Sequence, residues 1–159
     1  MKPVSSPSFL NEACSYANPV PFSRGVRIDL PGFALVAISG TASVGPGGES
    51  LHEGDFKAQA RRMLANITAL LASEGATWKD VFKTTIFLKD MGDYEAFAKI
   101  RMAHFREHGV TVYPASTCVQ ATLCRQELLC EMEAMALLRH DQKADDTKVH
   151  SSDAALPNL

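Results

Sequence analysis

The sequence has no long apolar run. Nothing in its 159 residues approaches the roughly 20 consecutive apolar residues that a membrane-spanning helix needs. Nor does it have a stripe of lysine and arginine, and its formal net charge is −2. Proteins that neutralise phosphates carry a basic footprint, so nucleic acid is not an expected partner. Cysteine is sparse: Cys14, Cys118, Cys124 and Cys130 form no C-x-x-C pair and no Cys/His zinc spacing. Neither a disulfide framework nor a metal site is therefore expected. The stretch Met1 to Pro19 holds Lys2 but no apolar core. It does not have the form of a signal peptide, and a cytoplasmic location is the default expectation.

What is present is an ordinary globular composition, 46% hydrophobic and 21% charged. A chain of this length makes about one domain. It hides roughly 70% of its unfolded surface and needs no staples. Residues 1–20 are rich in Ser, Pro and Asn and predict an irregular arm. Arg24–Leu30 and Phe33–Ser39 flank Pro31-Gly32 and predict a hairpin. Ser39 to Gly48 is glycine-rich but matches neither phosphate-binding pattern, so it predicts a turn. Asp55 opens a helix in which Ala60, Met63, Leu64, Ile67, Leu70 and Leu71 recur at helical spacing, and Gly75 ends it.

Val81–Leu88 is a β-branched and aromatic strand. Asp90 or Asp93 caps a second helix, with Tyr94, Phe97, Ile100 and Phe105 on its apolar face and Gly109 as its stop. Ala115–Thr122 and Leu128–Leu138 are two further strands. Residues 140–159 predict a disordered polar tail. The order β-β-α-β-α-β-β gives an α+β fold. Two helices cover only one face of such a sheet, and the other is left for a partner.

Strand alternation places Cys130, Met132, Ala134, Ala136 and Leu138 on a face towards the helices, and Glu131, Glu133, Met135 and Leu137 on the open face. A carboxylate in mid-strand holds water or takes a proton if it lines a pocket. If it is buried at a subunit contact it needs partners instead. Ser116, Cys118, Gln120 and Thr122 share the more polar face of the preceding strand. Alternation allows Ser116 and Cys118 to converge with Glu131 but does not require it, and ordinary polar residues at a subunit contact are the first expectation from pattern alone. His104 and His108 lie one turn apart, as metal ligands do, but no third ligand accompanies them, so they are expected to be surface residues. Trp78 is expected to anchor packing.

Several blocks in order resemble the RidA (YjgF) family. They are ISG at Ile38–Gly40, the stretch from Ala58 to Met91, YPASTCV at Tyr113–Val119 and CEMEAMA at Cys130–Ala136. The resemblance covers about residues 18 to 139. It implies a chorismate-mutase-like mixed β-sheet with two helices on one face. It also implies a homotrimeric barrel whose small-molecule clefts lie between subunits. The activity it implies is hydrolytic deamination of enamine or imine intermediates, with no cofactor.

In the family an arginine grips the substrate carboxylate. The matching motif here is Pro114-Ala115-Ser116-Thr117, which puts Ser116 in the arginine's place. Cys118 matches the family's cysteine, and Glu131 matches the glutamate that orients water. Phe22 stands where a tyrosine is usual, and Ala98 where an asparagine is usual; Ser39 and Gly40 are retained. The resemblance thus makes Glu131 the catalytic candidate and Phe22, Ser39, Gly40, Ser116 and Cys118 the substrate-binding candidates. The pocket it implies is less cationic than the standard one and suits an atypical substrate.

Arg24, Arg27 and Arg101 are the nearest candidates for a replacement charge, and each is expected to be a solvated surface arginine. With the grip missing, two other functions stay open: a non-catalytic trimer that binds a metabolite or protein, and a hydrolase or tautomerase acting on an aromatic or ring-cleavage product.

Overall fold

The computed structural model describes residues 1–16 and 18–139. The predicted tail at 140–159 lies outside the described residues. Six strands form one sheet in the order β1-β2-β3-β6-β4-β5. They are β1 (Lys2–Pro3), β2 (Gly25–Leu30), β3 (Phe33–Ala42), β4 (Val81–Leu88), β5 (Ala115–Gln120) and β6 (Cys130–Arg139). All neighbours are antiparallel except β4 and β5, which run parallel. The parallel pair needs a crossover, and α2 (Tyr94–Glu107) provides it. The result is the mixed α+β sheet with two helices that the sequence predicts.

Helix α1 (Phe56–Ser73) forms where its signals lie. The Asp55 carboxylate accepts from the Ala58 N–H and so satisfies one of the orphan donors of the first turn. Gly75 takes a φ of 74° just past the C-terminus, a left-handed position that glycine adopts without strain. The stripe from Ala60 to Leu71 is wholly buried, and α1 packs over β3 and β6 while α2 packs beside it. For α2 the capping is divided. Asp93 holds the N-cap position without a side-chain bond, whereas Asp90 accepts from the Gly92 N–H and caps the short 3-10 turn before the helix.

Trp78 anchors this layer. Its indole N–H donates to Thr68 Oγ1 at 2.8 Å, and its ring meets those of Phe105 and His104. His104 is thus packed rather than free at the surface, and burial, followed by the nearby His108, lowers its pKa to about 4.

Two further expectations change. The arm before residue 20 is not wholly irregular, since β1 pairs with Val26 and Arg27 and the arm buries Val4, Leu10 and Ala13. Those apolar residues are too scattered to show a period, so only tertiary packing reveals them. The third strand also runs past Ser39 to Ala42, into the expected glycine-rich turn, with its register broken between Ile38 and Thr41. A bulge of this kind inserts extra backbone and re-aims side chains.

The sheet's second face has no helix. By register it carries Val26, Ile28, Leu35, Ala37, Phe87, Val119, Met135 and Leu137, with the polar Lys83, Thr85, Thr117, Glu131 and Glu133 among them. Leu137 is 42% exposed and Val119 is 40% exposed. No described helix is long and apolar enough to cross a membrane.

Candidate active site

The bulge in β3 and the start of β6 meet at one end of the sheet, where Ala42 pairs with Glu131. Here Glu131 folds its side chain across Gly40. A Cβ placed on Gly40 would lie 2.1 Å from Glu131 Oε1, so any larger residue would displace the carboxylate. Around it is a cleft of about 510 Å³, lined in part by Phe22, Arg24, Ser39, Gly40, Leu128 and Glu131. Ser39 is fixed by its hydroxyl, which donates to the Ser23 carbonyl at 2.7 Å, and by its N–H, which donates to the Arg24 carbonyl.

One wall of the cleft is the 121–129 loop, which brings Cys124, Arg125 and Leu128. The buried amide of Gln59 ties this loop to α1. It donates to the carbonyls of His52 and Glu127 at 3.2 and 2.9 Å and accepts from the Leu129 N–H at 2.8 Å. Arg125 adds a second tie, donating to the Gly48 carbonyl and to Ser50 Oγ.

Electrostatically the cleft pairs one carboxylate with a buried cation. Burial raises the Glu131 pKa, the neighbouring Glu133 raises it further, and Arg24 opposes both. Arg24 is 4% exposed. Its Nε donates to the Asn11 carbonyl at 3.1 Å, and its guanidinium lies 5.0 and 5.3 Å from the ring centres of Tyr16 and Phe22. It is therefore a buried cleft residue and not a solvated surface arginine. Burial lowers its pKa from the arginine value, with Glu12 acting in the opposite direction.

The other two arginines are also engaged. Arg27 bonds Asp29 and Glu74, and Arg101 donates to Ser116 Oγ at 2.9 Å. None of this was legible in the sequence, because each contact spans the chain or depends on the rotamer of a long side chain. The Tyr16 hydroxyl, buried without a hydrogen-bond partner among the described residues, was missed for the same reason.

Within one chain, Ser116 and Cys118 do not converge with Glu131. Ser116 aligns with Thr84 and Ala134, and Cys118 with Ile86 and Met132, on the face that meets the helices. Glu131 aligns with Phe87 and points to the other face. The sequence shows that strand side chains alternate but not which phase of β5 matches which phase of β6. That depends on register. Cys118 packs against the core, and burial raises its thiol pKa despite the nearby Arg101. A protonated thiol of this kind is a poor nucleophile.

Ser116 instead lines a smaller hollow with Ala98, Arg101 and Tyr113. One chain thus carries two separate hollows. Phe22, Ser39, Gly40 and Glu131 belong to the first, and Ser116, with Cys118 behind it, to the second.

A mixed sheet with two helices on one face, a bulged Ser39-Gly40 and a glutamate folded over it define a class of small α+β proteins. Comparison with known proteins agrees. A family model described as Endoribonuclease L-PSP matches residues 15–138. A 2-iminobutanoate/2-iminopropanoate deaminase of Salmonella typhimurium is 34% identical over 119 residues, covering 75% of this chain and 88% of that protein. A RutC family protein of Pyrococcus abyssi is 29% identical over 116 residues, covering 73% and 85%. The crystal structure of the Escherichia coli YjgF gene product superposes with a TM-score of 0.70 at 30% identity, covering 88% of this chain and all of that one. Escherichia coli TdcF with bound serine gives 0.66 at 30% identity, covering 82% and 98%. The chain belongs to the RidA (YjgF) family.

Proposed function

We propose that the protein is a hydrolytic deaminase of 2-imino acids and their enamine tautomers, working as a homotrimer with its sites between subunits. The observation that carries this reading is Glu131. It is a half-buried carboxylate with a raised pKa, held over the Gly40 backbone at the wall of a cleft of about 510 Å³. A carboxylate with a raised pKa is a better proton acceptor than an ordinary one, and it can return the proton it takes.

Water bound to Glu131 gives it a proton and adds to the imine carbon. The protonated carboxyl then delivers that proton to the nitrogen of the tetrahedral adduct. The carbon–nitrogen bond breaks and ammonia leaves. The adduct hydroxyl passes its proton through Glu131 to the departing nitrogen and becomes the carbonyl of the 2-oxo acid, so one water is consumed for each ammonia released. Phe22 supplies an apolar wall, and Ser39 and Gly40 shape the floor. The relatives named as imine deaminases support the reaction class, since they match across three quarters of the chain.

The separation of the two hollows supports the second half of the reading. Ser116 and Cys118 lie across the sheet from Glu131, so one chain cannot present both to a small substrate. The helix-free sheet face, with its exposed Val119 and Leu137, provides a surface on which a neighbour brings its β5 edge to the first chain's cleft.

The test is release of ammonia and 2-oxo acid from imino acids generated in situ by an amino-acid oxidase. The wild type is expected to accelerate release, and Glu131→Ala to return it to the uncatalysed rate. An unaffected Glu131→Ala enzyme would remove the mechanism.

A further inference from the structure

Arg101 is the guanidinium that the sequence placed at the surface. Helix α2 projects it onto the edge strand β5, where Nη1 donates to Ser116 Oγ at 2.9 Å. Its guanidinium lies 5.3 Å from the ring centre of Phe97, and that ring is fully buried, so the surface beneath the cation is fixed. Ion pairs among the described residues engage Lys2 and Arg27 but not Arg101. A hollow of about 170 Å³ opens beside it, walled by Ala98, Met102, Phe105, Tyr113 and Pro114. Tyr113 stacks on Phe105 with 6.0 Å between ring centres, so this wall is apolar and aromatic.

We propose that Arg101, oriented by Ser116, binds the substrate carboxylate, with the adjoining hollow taking a small apolar side group. The ligand class is a 2-imino or 2-oxo acid with an apolar tail. A guanidinium presents paired donors that match a carboxylate. The serine hydroxyl engages one N–H through Nη1 and fixes the fork's direction. Ser116 is in this way a positioning residue: it has exchanged a charge of its own for a hydroxyl that orients a charge arriving from the neighbouring helix. Ala98 is small and leaves the guanidinium open on that side. The inference deepens the deaminase reading and rests on it for the reaction, but its test needs no turnover.

The probe is 2-oxobutanoate, a stable acid of the product class, titrated by NMR into the intact protein, with 2-butanone as the counterpart lacking the carboxylate. The wild type is expected to bind the acid and not the ketone. Arg101→Gln is expected to weaken the acid by about tenfold or more, as loss of a charge-assisted contact does. Adding Ser116→Arg to Arg101→Gln returns a guanidinium to the same place and is expected to restore binding. A purely structural role for Arg101 would show no such rescue.

Equal affinity in wild type and Arg101→Gln overturns the inference, as does a wild type that fails to bind the acid. A wild type that binds the acid through Arg101 yet releases no ammonia keeps this inference and removes the deaminase reading.

Discussion

At the scale of single residues, the site depends on how little room Gly40 leaves. Gly40→Ala puts a methyl group where Glu131 Oε1 now lies. The carboxylate is the end of a flexible side chain and can swing away, so the fold should survive while the water-binding geometry is lost. Turnover is expected to fall by about a hundredfold, with the midpoint of thermal unfolding almost unchanged.

The raised pKa of Glu131 sets two pH effects. If the ionised form is the base, activity rises with pH through the raised value, and its acid limb lies above the ordinary carboxylate range. Stability moves the other way. Between the ordinary carboxylate pKa and the raised one, the unfolded chain holds fewer protons than the folded one. Stability attributable to this group is therefore present at low pH, is lost as pH rises through that window, and stays lost above it. Glu131→Gln removes the buried charge. It is expected to be inactive yet to unfold at a temperature higher by roughly a few degrees at neutral pH, as calorimetry will show.

These residue-scale features were only partly legible. The mid-strand glutamate and the retained Ser39-Gly40 stand out in the sequence. The close approach of Gly40 to Glu131, and the burial of Arg24, come from a bulge and a folded arm that no local pattern encodes.

At the scale of elements, the site is held by ties between segments distant in sequence. Gln59 is the main one, joining α1 to the 121–129 loop through two hydrogen bonds and to His52, ahead of the helix, through a third. Replacing it with leucine leaves the Glu127 carbonyl and the Leu129 N–H without those bonds. A buried polar group left unsatisfied costs about 1–3 kcal/mol, so Gln59→Leu is expected to destabilise by about 2 kcal/mol in a denaturant titration. The loop's amides should also exchange faster, because the tie that orders Leu128 against the cleft is gone.

The elements themselves were the most legible part of the sequence. The stripe of α1, its Asp55 cap and its Gly75 stop follow from helical periodicity and capping chemistry, and the residues of β4 alternate within the predicted bounds. The predicted hairpin about Pro31-Gly32 is the β2–β3 pair. Register was not legible. Pairing of β6 with both β3 and β4, and of β5 with β4 alone, decides which residues share a face. Alternation within each strand leaves that choice open, and the meeting it allows between Ser116, Cys118 and Glu131 fails within one chain.

At the scale of the whole molecule, the sheet is covered on one side only. Its open face bears Leu35, Met135, Leu137, Phe87 and Val119 around the polar Lys83, Thr85 and Glu133, a mix that suits a contact with another chain. Leu137→Glu places a charge on its exposed apolar part. That variant is expected to sediment as a monomer, to keep the native circular-dichroism spectrum, and to lose turnover by at least about a hundredfold, because the proposed site needs two neighbouring chains.

The central claim is that Glu131 of one chain works with the Ser116 edge of the next. It is tested most directly by mixing subunits. Glu131→Ala lacks the carboxylate of the first hollow, and Ser116→Trp plugs the second, so each alone should be inactive. Unfolded together in equal amounts and refolded, they form mixed trimers in which a site is whole only where an unplugged edge meets an intact glutamate. In a ring of three with random assortment, about one quarter of the sites meet that condition. The account predicts that the mixture recovers about that fraction of wild-type imine hydrolysis. A mixture as inactive as its two components would contradict it and place the chemistry within a single chain or elsewhere on the molecule.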